Sequence, residues 1–303
     1  MRVGFIDRSL LIYTSMLAIS PGDTEIILSE ADSGSADSNL GFFSRPYRIN
    51  YKGKELMLKR YSPISNYAIV SSILENHDRY ISALGRIGIR IPDTIIEAKK
   101  TKGKYQIFIL QEAFSKADMF RTKFETSDAR DLPDLCRLIY DDVVKFISNK
   151  ERPVEMGFHP TLRNYALQNG SLFFFDTFPP MLMSQAELNR IVVRMSPYGS
   201  FFRHLIPVSR INMVTNEYYN TEKMFTGITG SCCRLRPEQA DAILKFSIGY
   251  INNSDCPGSM KEKITGMLAS PPQLPGLWTF FRKLSGNTGK PNIRNLPKGN
   301  AGA

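Results

Sequence analysis

The sequence has no Cys-x-x-Cys pair and no Gly-x-Gly-x-x-Gly run, and it holds three His and one Trp in 303 residues. Without clustered Cys/His spacing, a structural or catalytic zinc site is not expected. The four cysteines are Cys136, Cys232, Cys233 and Cys256. With no framework spacing among them, they read as reduced, mostly buried thiols of a cytoplasmic protein. No apolar run approaches the roughly 20 residues that cross a bilayer. The run from Leu10 to Ser20 resembles the apolar part of a signal peptide but is followed by no small-residue cleavage pattern. It is expected to be an amphipathic helix packed on the body, so no membrane partner is expected. Internal repeats are absent too.

What is present is an ordinary globular composition with a basic excess. Hydrophobic residues make up 42% and charged residues 22%, enough for a real core in one large domain or two lobes. The formal net charge of +10 favours an acidic partner: a nucleotide, a phosphorylated metabolite, a nucleic acid or an anionic surface. Many soluble enzymes are equally basic without binding a polymer. The stacked-aromatic patterns of RNA-binding modules are missing, which ranks nucleic acid last.

The residues 157–180 are the most informative. Asn169-Gly170 is a strong two-residue turn signal between the apolar runs Tyr165–Gln168 and Ser171–Phe175. So short a hairpin brings its ends together, making Asn164 and Asp176 neighbours. Two hard-oxygen side chains held side by side suit a Mg²⁺ that carries nucleotide phosphate. The other reading is a strand-capping Asn and a loop-opening Asp.

Upstream, strands are expected over 25–30, 42–50 and 55–61, joined by the small polar loop 31–41 and the turn 51–54. A helix is expected over 64–87, ended by Gly88 and Pro92. Two further strands, 93–97 and 105–111, flank a basic turn at 99–104 that reads as a solvated tip. A helix over 131–149 precedes the hairpin, and a mainly helical region follows Pro180 to about residue 270. Residues 279–303 carry five Lys/Arg and no acid and read as a flexible basic tail.

In this order of elements, the chain resembles the protein-kinase-like phosphotransferases, nearest the aminoglycoside phosphotransferase and choline kinase branch. The resemblance spans roughly residues 24–250 and rests on order and spacing. It implies an α+β, two-lobed fold: an N-terminal antiparallel sheet with one main helix (1–113), a mainly helical C-terminal lobe (114–278) and the tail. It implies ATP and Mg²⁺ as cofactors and a small-molecule acceptor as partner. Lys59 matches the strand lysine that touches the α- and β-phosphates, and Glu75, sixteen residues on, its partner on the helix. A surface lysine and a surface glutamate are the other readings. Gly34 and Ser35 lie where the family keeps its phosphate-covering loop. Gln111 and Ala113 lie at the hinge that meets adenine through backbone groups. Asn164 and Asp176 match the two metal ligands.

One departure stands out. The family's proton-accepting Asp, five residues before the metal-binding Asn, is here His159. Imidazole can take a proton at neutral pH, so His159 is a candidate base. Alternatively the site lacks its base, and the protein is a kinase-like pseudoenzyme that binds nucleotide or a partner. The basic charge and Arg163 favour a neutral or anionic acceptor.

Overall fold

The computed structural model describes Ile27, Ser44, residues 46–149, 151–153, 155–195 and 208–270, and Pro272. The expected N-terminal helix, the loop containing Gly34 and Ser35, and the basic tail lie outside the described residues. Of the strand expected over 25–30, Ile27 alone is described, and it is helical and fully buried.

Four strands form one antiparallel sheet: β1 (Pro46–Tyr51), β2 (Lys54–Arg60), β3 (Thr94–Thr101) and β4 (Lys104–Glu112), in the order β1-β2-β4-β3. The β4 strand runs through the interior, and Ile107 to Gln111 are all buried. Period-two alternation splits its side chains between the faces. Phe108 and Leu110 join Ile27, Ile49, Leu56 and Leu58 on one side. Ile107 and Ile109 join Val70 and Ile73 on the other.

Val70 and Ile73 belong to the long helix α1 (Tyr67–Ile87), which covers that second face. The Asn66 side chain caps its start, accepting from the Ile69 amide. Gly88, at φ 90°, ends it, its amide and that of Ile89 donating back to Gly85 and Leu84 carbonyls. A Cβ at Gly88 would come no nearer than 3.8 Å to Lys145 Cδ, so a substitution there meets backbone strain rather than a clash. Gly88→Ala is expected to lose about 1–2 kcal/mol, read as a lower urea midpoint with an unchanged slope.

Three hairpin turns share one geometry. Lys52-Gly53, Lys102-Gly103 and Asn169-Gly170 all have positive φ at both positions (50° and 78°, 50° and 77°, 49° and 72°). That is the type I′ turn, whose twist matches that of the flanking strands. The basic turn is therefore narrower than 99–104: Lys99, Lys100 and Thr101 pair with Gln106, Tyr105 and Lys104.

Beyond the sheet come α2 (Phe120–Thr126), α3 (Leu132–Ser148), the hairpin β5 (Tyr165–Gln168) and β6 (Ser171–Phe174), then α4 (Gln185–Met195), α5 (Val208–Tyr219), α6 (Thr221–Leu235), α7 (Ala240–Asn252) and α8 (Gly258–Met267). The chain is thus α+β, with an antiparallel N-terminal sheet and a mainly helical C-terminal part, as expected. Among the described residues, the largest core joins α1, α3, α6 and α7 to the hairpin through Tyr80, Tyr140, Phe146, Tyr165, Phe225 and Ile243. All four cysteines are free and buried. No described helix is long and apolar enough to cross a membrane.

Candidate functional site

The hairpin β5–β6 closes as its sequence demands. Tyr165 pairs with Phe174 at its open end, and one step beyond, the Phe175 amide donates to the Asn164 carbonyl at 3.0 Å. Asn164 and Asp176 therefore leave the same end of the ladder. Asn164 Nδ2 donates to the His159 carbonyl at 3.0 Å and lies 3.5 Å from His159 Nδ1. Since a carbonyl can only accept, the amide oxygen of Asn164 is directed away from it. His159 Nδ1 is 3.8 Å from Asp176 Oδ2, and both side chains are about one-third exposed (34% and 35%). The three residues expected from 157–180 are thus brought together at a solvent-reached surface.

The segment that carries His159 is held from three sides. The Phe158 amide donates to the Tyr218 carbonyl at 2.8 Å, the Gly157 amide to the Met181 carbonyl at 2.8 Å, and Tyr80 Oη to the Gly157 carbonyl at 3.2 Å. The Tyr218 ring, at the end of α5, lies 4.3 Å from the His159 imidazole, centroid to centroid. Gly157 lets the end of α5 pass this close, because a Cβ there would stand 3.0 Å from the Tyr219 ring and 3.2 Å from the Tyr218 carbonyl.

Lys59 reaches the same end of the hairpin from β2. Its ammonium donates to the Phe175 carbonyl at 3.0 Å and to Gln111 Oε1 at 2.9 Å, and lies 5.2 Å from the centre of the Phe175 ring. Burial lowers its pKa, and the nearby Asp176 opposes that fall. A strand lysine, Asn164 and Asp176 therefore share one cluster.

Two expected roles are corrected. Glu75 does not pair with Lys59: it is exposed and accepts from Ser71 Oγ at 3.2 Å. The polar residue of α1 that turns inward here is His77, two positions on and so about 200° around the helix. It is fully buried, with Nε2 2.9 Å from Thr177 Oγ1. Burial, with Lys59 nearby, pushes its pKa down to about 3, so it is neutral. Its place on the apolar stripe Ile73, His77, Tyr80, Leu84 was the signal that could have found it. At the hinge, the Ala113 amide is taken by the Glu55 carbonyl at 3.1 Å, so it is not presented to a base. The Gln111 side chain, 1% exposed, is turned into the cluster, where it bonds Lys59 and Thr94.

Asn164 and Asp176 offer two hard oxygens at an accessible surface, which fits a Mg²⁺ that takes its remaining ligands from phosphate and water. Among the described residues, no group of three or more His, Cys, Asp or Glu could hold a metal ion without such help.

A family model described as a family of unknown function (DUF6206) matches residues 23–289. The chain belongs to that family. The DUF6206 match takes in the sheet, α1, the hairpin and every residue of the cluster. No curated protein matches the sequence. Among solved structures, the crystal structure of a Helicobacter pylori proinflammatory kinase, CtkA, is similar at 11% identity. The match covers 78% of this chain and 90% of that one, with a TM-score of 0.27. A superposition that loose carries no argument about chemistry.

Proposed function

We propose that this DUF6206 chain is an ATP- and Mg²⁺-dependent phosphotransferase acting on a hydroxyl of a neutral or anionic small molecule in the cytoplasm. The observation that carries the reading is the convergence of Lys59, Asn164 and Asp176 at one end of the hairpin. Lys59, a point charge on a rigid strand, attracts and orients phosphate. Asn164 and Asp176 hold the metal, which when bound would neutralise charge on the transferring phosphoryl group. His159, beside both, is open enough to meet an acceptor hydroxyl and take its proton. The Tyr218 ring flanks the imidazole and limits its rotation.

Calorimetry with Mg·ATP tests the reading. The wild-type chain is expected to bind, and Asp176→Ala to weaken Mg-dependent affinity by about tenfold to a hundredfold, the worth of a charged contact. No binding by the wild-type chain would overturn it. A screen of hydroxyl-bearing metabolites for phosphate transfer then names the acceptor.

A second reading has its own support. His159 replaces the expected carboxylate, and among the described residues no carboxylate lies within 4.0 Å of Lys59 Nζ. In that reading the chain is a nucleotide- or partner-binding pseudoenzyme. Mg·ATP binding with no transfer to any acceptor, unaltered by His159→Ala, would select it.

A further inference from the structure

We propose that two buried neutral side chains, Gln111 and His77, are the positioning residues of this site, Gln111 holding the Lys59 ammonium and His77 holding the Asp176 segment through Thr177, in place of a carboxylate on α1. The inference deepens the phosphotransferase reading and rests on it.

The bonding around Gln111 has a single consistent direction. The Thr94 hydroxyl donates to the Pro92 carbonyl at 2.7 Å, so it accepts from Gln111 Nε2 at 3.0 Å. Gln111 Oε1 is thereby left to accept from Lys59, whose ammonium can only donate. Gln111 sits in β4 between Met57 of β2 and Thr94 of β3, so the oxygen that meets Lys59 is fixed by the sheet itself.

His77 does the corresponding work for the other half. Its neighbours on α1 are tied to the same region: Asn76 Nδ2 donates to the Leu182 carbonyl at 3.0 Å and Tyr80 Oη to the Gly157 carbonyl. The helix therefore grips the stretches on both sides of the hairpin through uncharged groups, with His77 on Thr177 next to Asp176. A charged imidazole there would face the Lys59 ammonium. A carboxylate would neutralise it. With neutral holders, the charge of Lys59 is answered by Asp176 and is left available to phosphate.

Two measurements on the full chain decide this. In the first, lysines are labelled with ¹³C at Cε and the Lys59 signal is titrated without nucleotide, Lys59→Arg assigning it. Asp176 and His77 are the titratable neighbours and stay unchanged. Gln111→Glu is expected to raise the Lys59 titration and Gln111→Met to lower it, because one adds a charge partner and the other removes the acceptor. Glutamate is also expected to weaken Mg·ATP binding about tenfold. The same Lys59 titration in wild type and both variants would overturn the role of Gln111. If one variant fails to fold, the sign of the other still decides.

In the second, His77→Phe and Thr177→Val are each expected to weaken Mg·ATP binding severalfold, and the double variant to go no further. Additive losses would overturn the role of His77. If the wild-type chain binds no Mg·ATP, the phosphotransferase reading fails by itself. The Lys59 titration, and the coupling of the two variants in urea unfolding, still decide the positioning roles.

Discussion

Replacing Phe158 with alanine is expected to destabilise the chain by about 3–5 kcal/mol and to loosen the candidate site at the same time. Phe158 is fully buried. Its ring stacks on Phe146 of α3 at 4.9 Å and meets Phe174 of β6 at 4.9 Å with a 59° tilt. The three rings lie beneath the cluster. Phe158 is followed by His159, and Phe174 by Phe175 and Asp176. The ring thus fixes the spacing between the two halves of the site, while the amide of the same residue is tied to Tyr218. Truncation removes the apolar surface and leaves a cavity that the α3 side and the hairpin can fill only by approaching each other. Phe158→Leu should cost roughly a third as much, since most of the volume remains. Urea unfolding of the three proteins checks this. A loss below about 1 kcal/mol for alanine would mean that the hairpin does not depend on this packing.

Turn chemistry and period were legible in the sequence. Asn169-Gly170 gave the hairpin and Gly88 the end of α1, while the continuously apolar run Ile107–Leu110 gave β4 as a strand without saying which side chain meets which face. The convergence of Asn164 and Asp176 followed from hairpin length alone, because a two-residue turn leaves the strand ends nowhere else to go; His159 came only with the resemblance. The partners of Lys59 did not follow. Which residue of α1 turns inward depends on the helix's rotation against the sheet, and a two-residue difference separates exposed Glu75 from buried His77. Charge pairing suggested the first; packing selects the second. For Gln111 the resemblance implies a backbone role, as at the hinge of the family the chain resembles. Its side chain is aimed by register, with Met57 on one side and Thr94 on the other. Sequence patterns report periods well and azimuths poorly, and this site is built from azimuths.

The buried polar groups make a second large and testable contribution, to stability against pH. His77 titrates at about 3 in the fold, below the ordinary 6.5, because burial and then Lys59 disfavour its charged form. Above pH 6.5 its titration adds nothing to the pH dependence of stability. As pH falls below 6.5, the unfolded chain gains a proton that the fold refuses, and stability drops by about 1.4 kcal/mol per unit, some 5 kcal/mol in all by pH 3. Asp142, on α3, has the opposite sign. Burial raises it from 3.8 to about 6, although Lys145 Nζ, 3.1 Å from Oδ1, pulls the other way, and Asp142 Oδ2 has no hydrogen-bond partner among the described residues. Above pH 6 its carboxylate burdens the fold by about 3 kcal/mol, and that burden lifts as pH falls from 6 to 3.8. Between pH 6 and 4 the two slopes cancel, so the pair leaves the wild-type chain nearly level there. Single variants should separate them. Relative to wild type, Asp142→Asn is expected to gain up to about 3 kcal/mol at pH 7 and to lose that advantage by pH 4. His77→Phe should gain on wild type steadily as pH falls below 6.5. The two differences, plotted against pH from urea midpoints, should run in opposite directions. If both stay flat, neither group is held in the protonation state its surroundings favour, and the neutral histidine beside Lys59 is wrong with them.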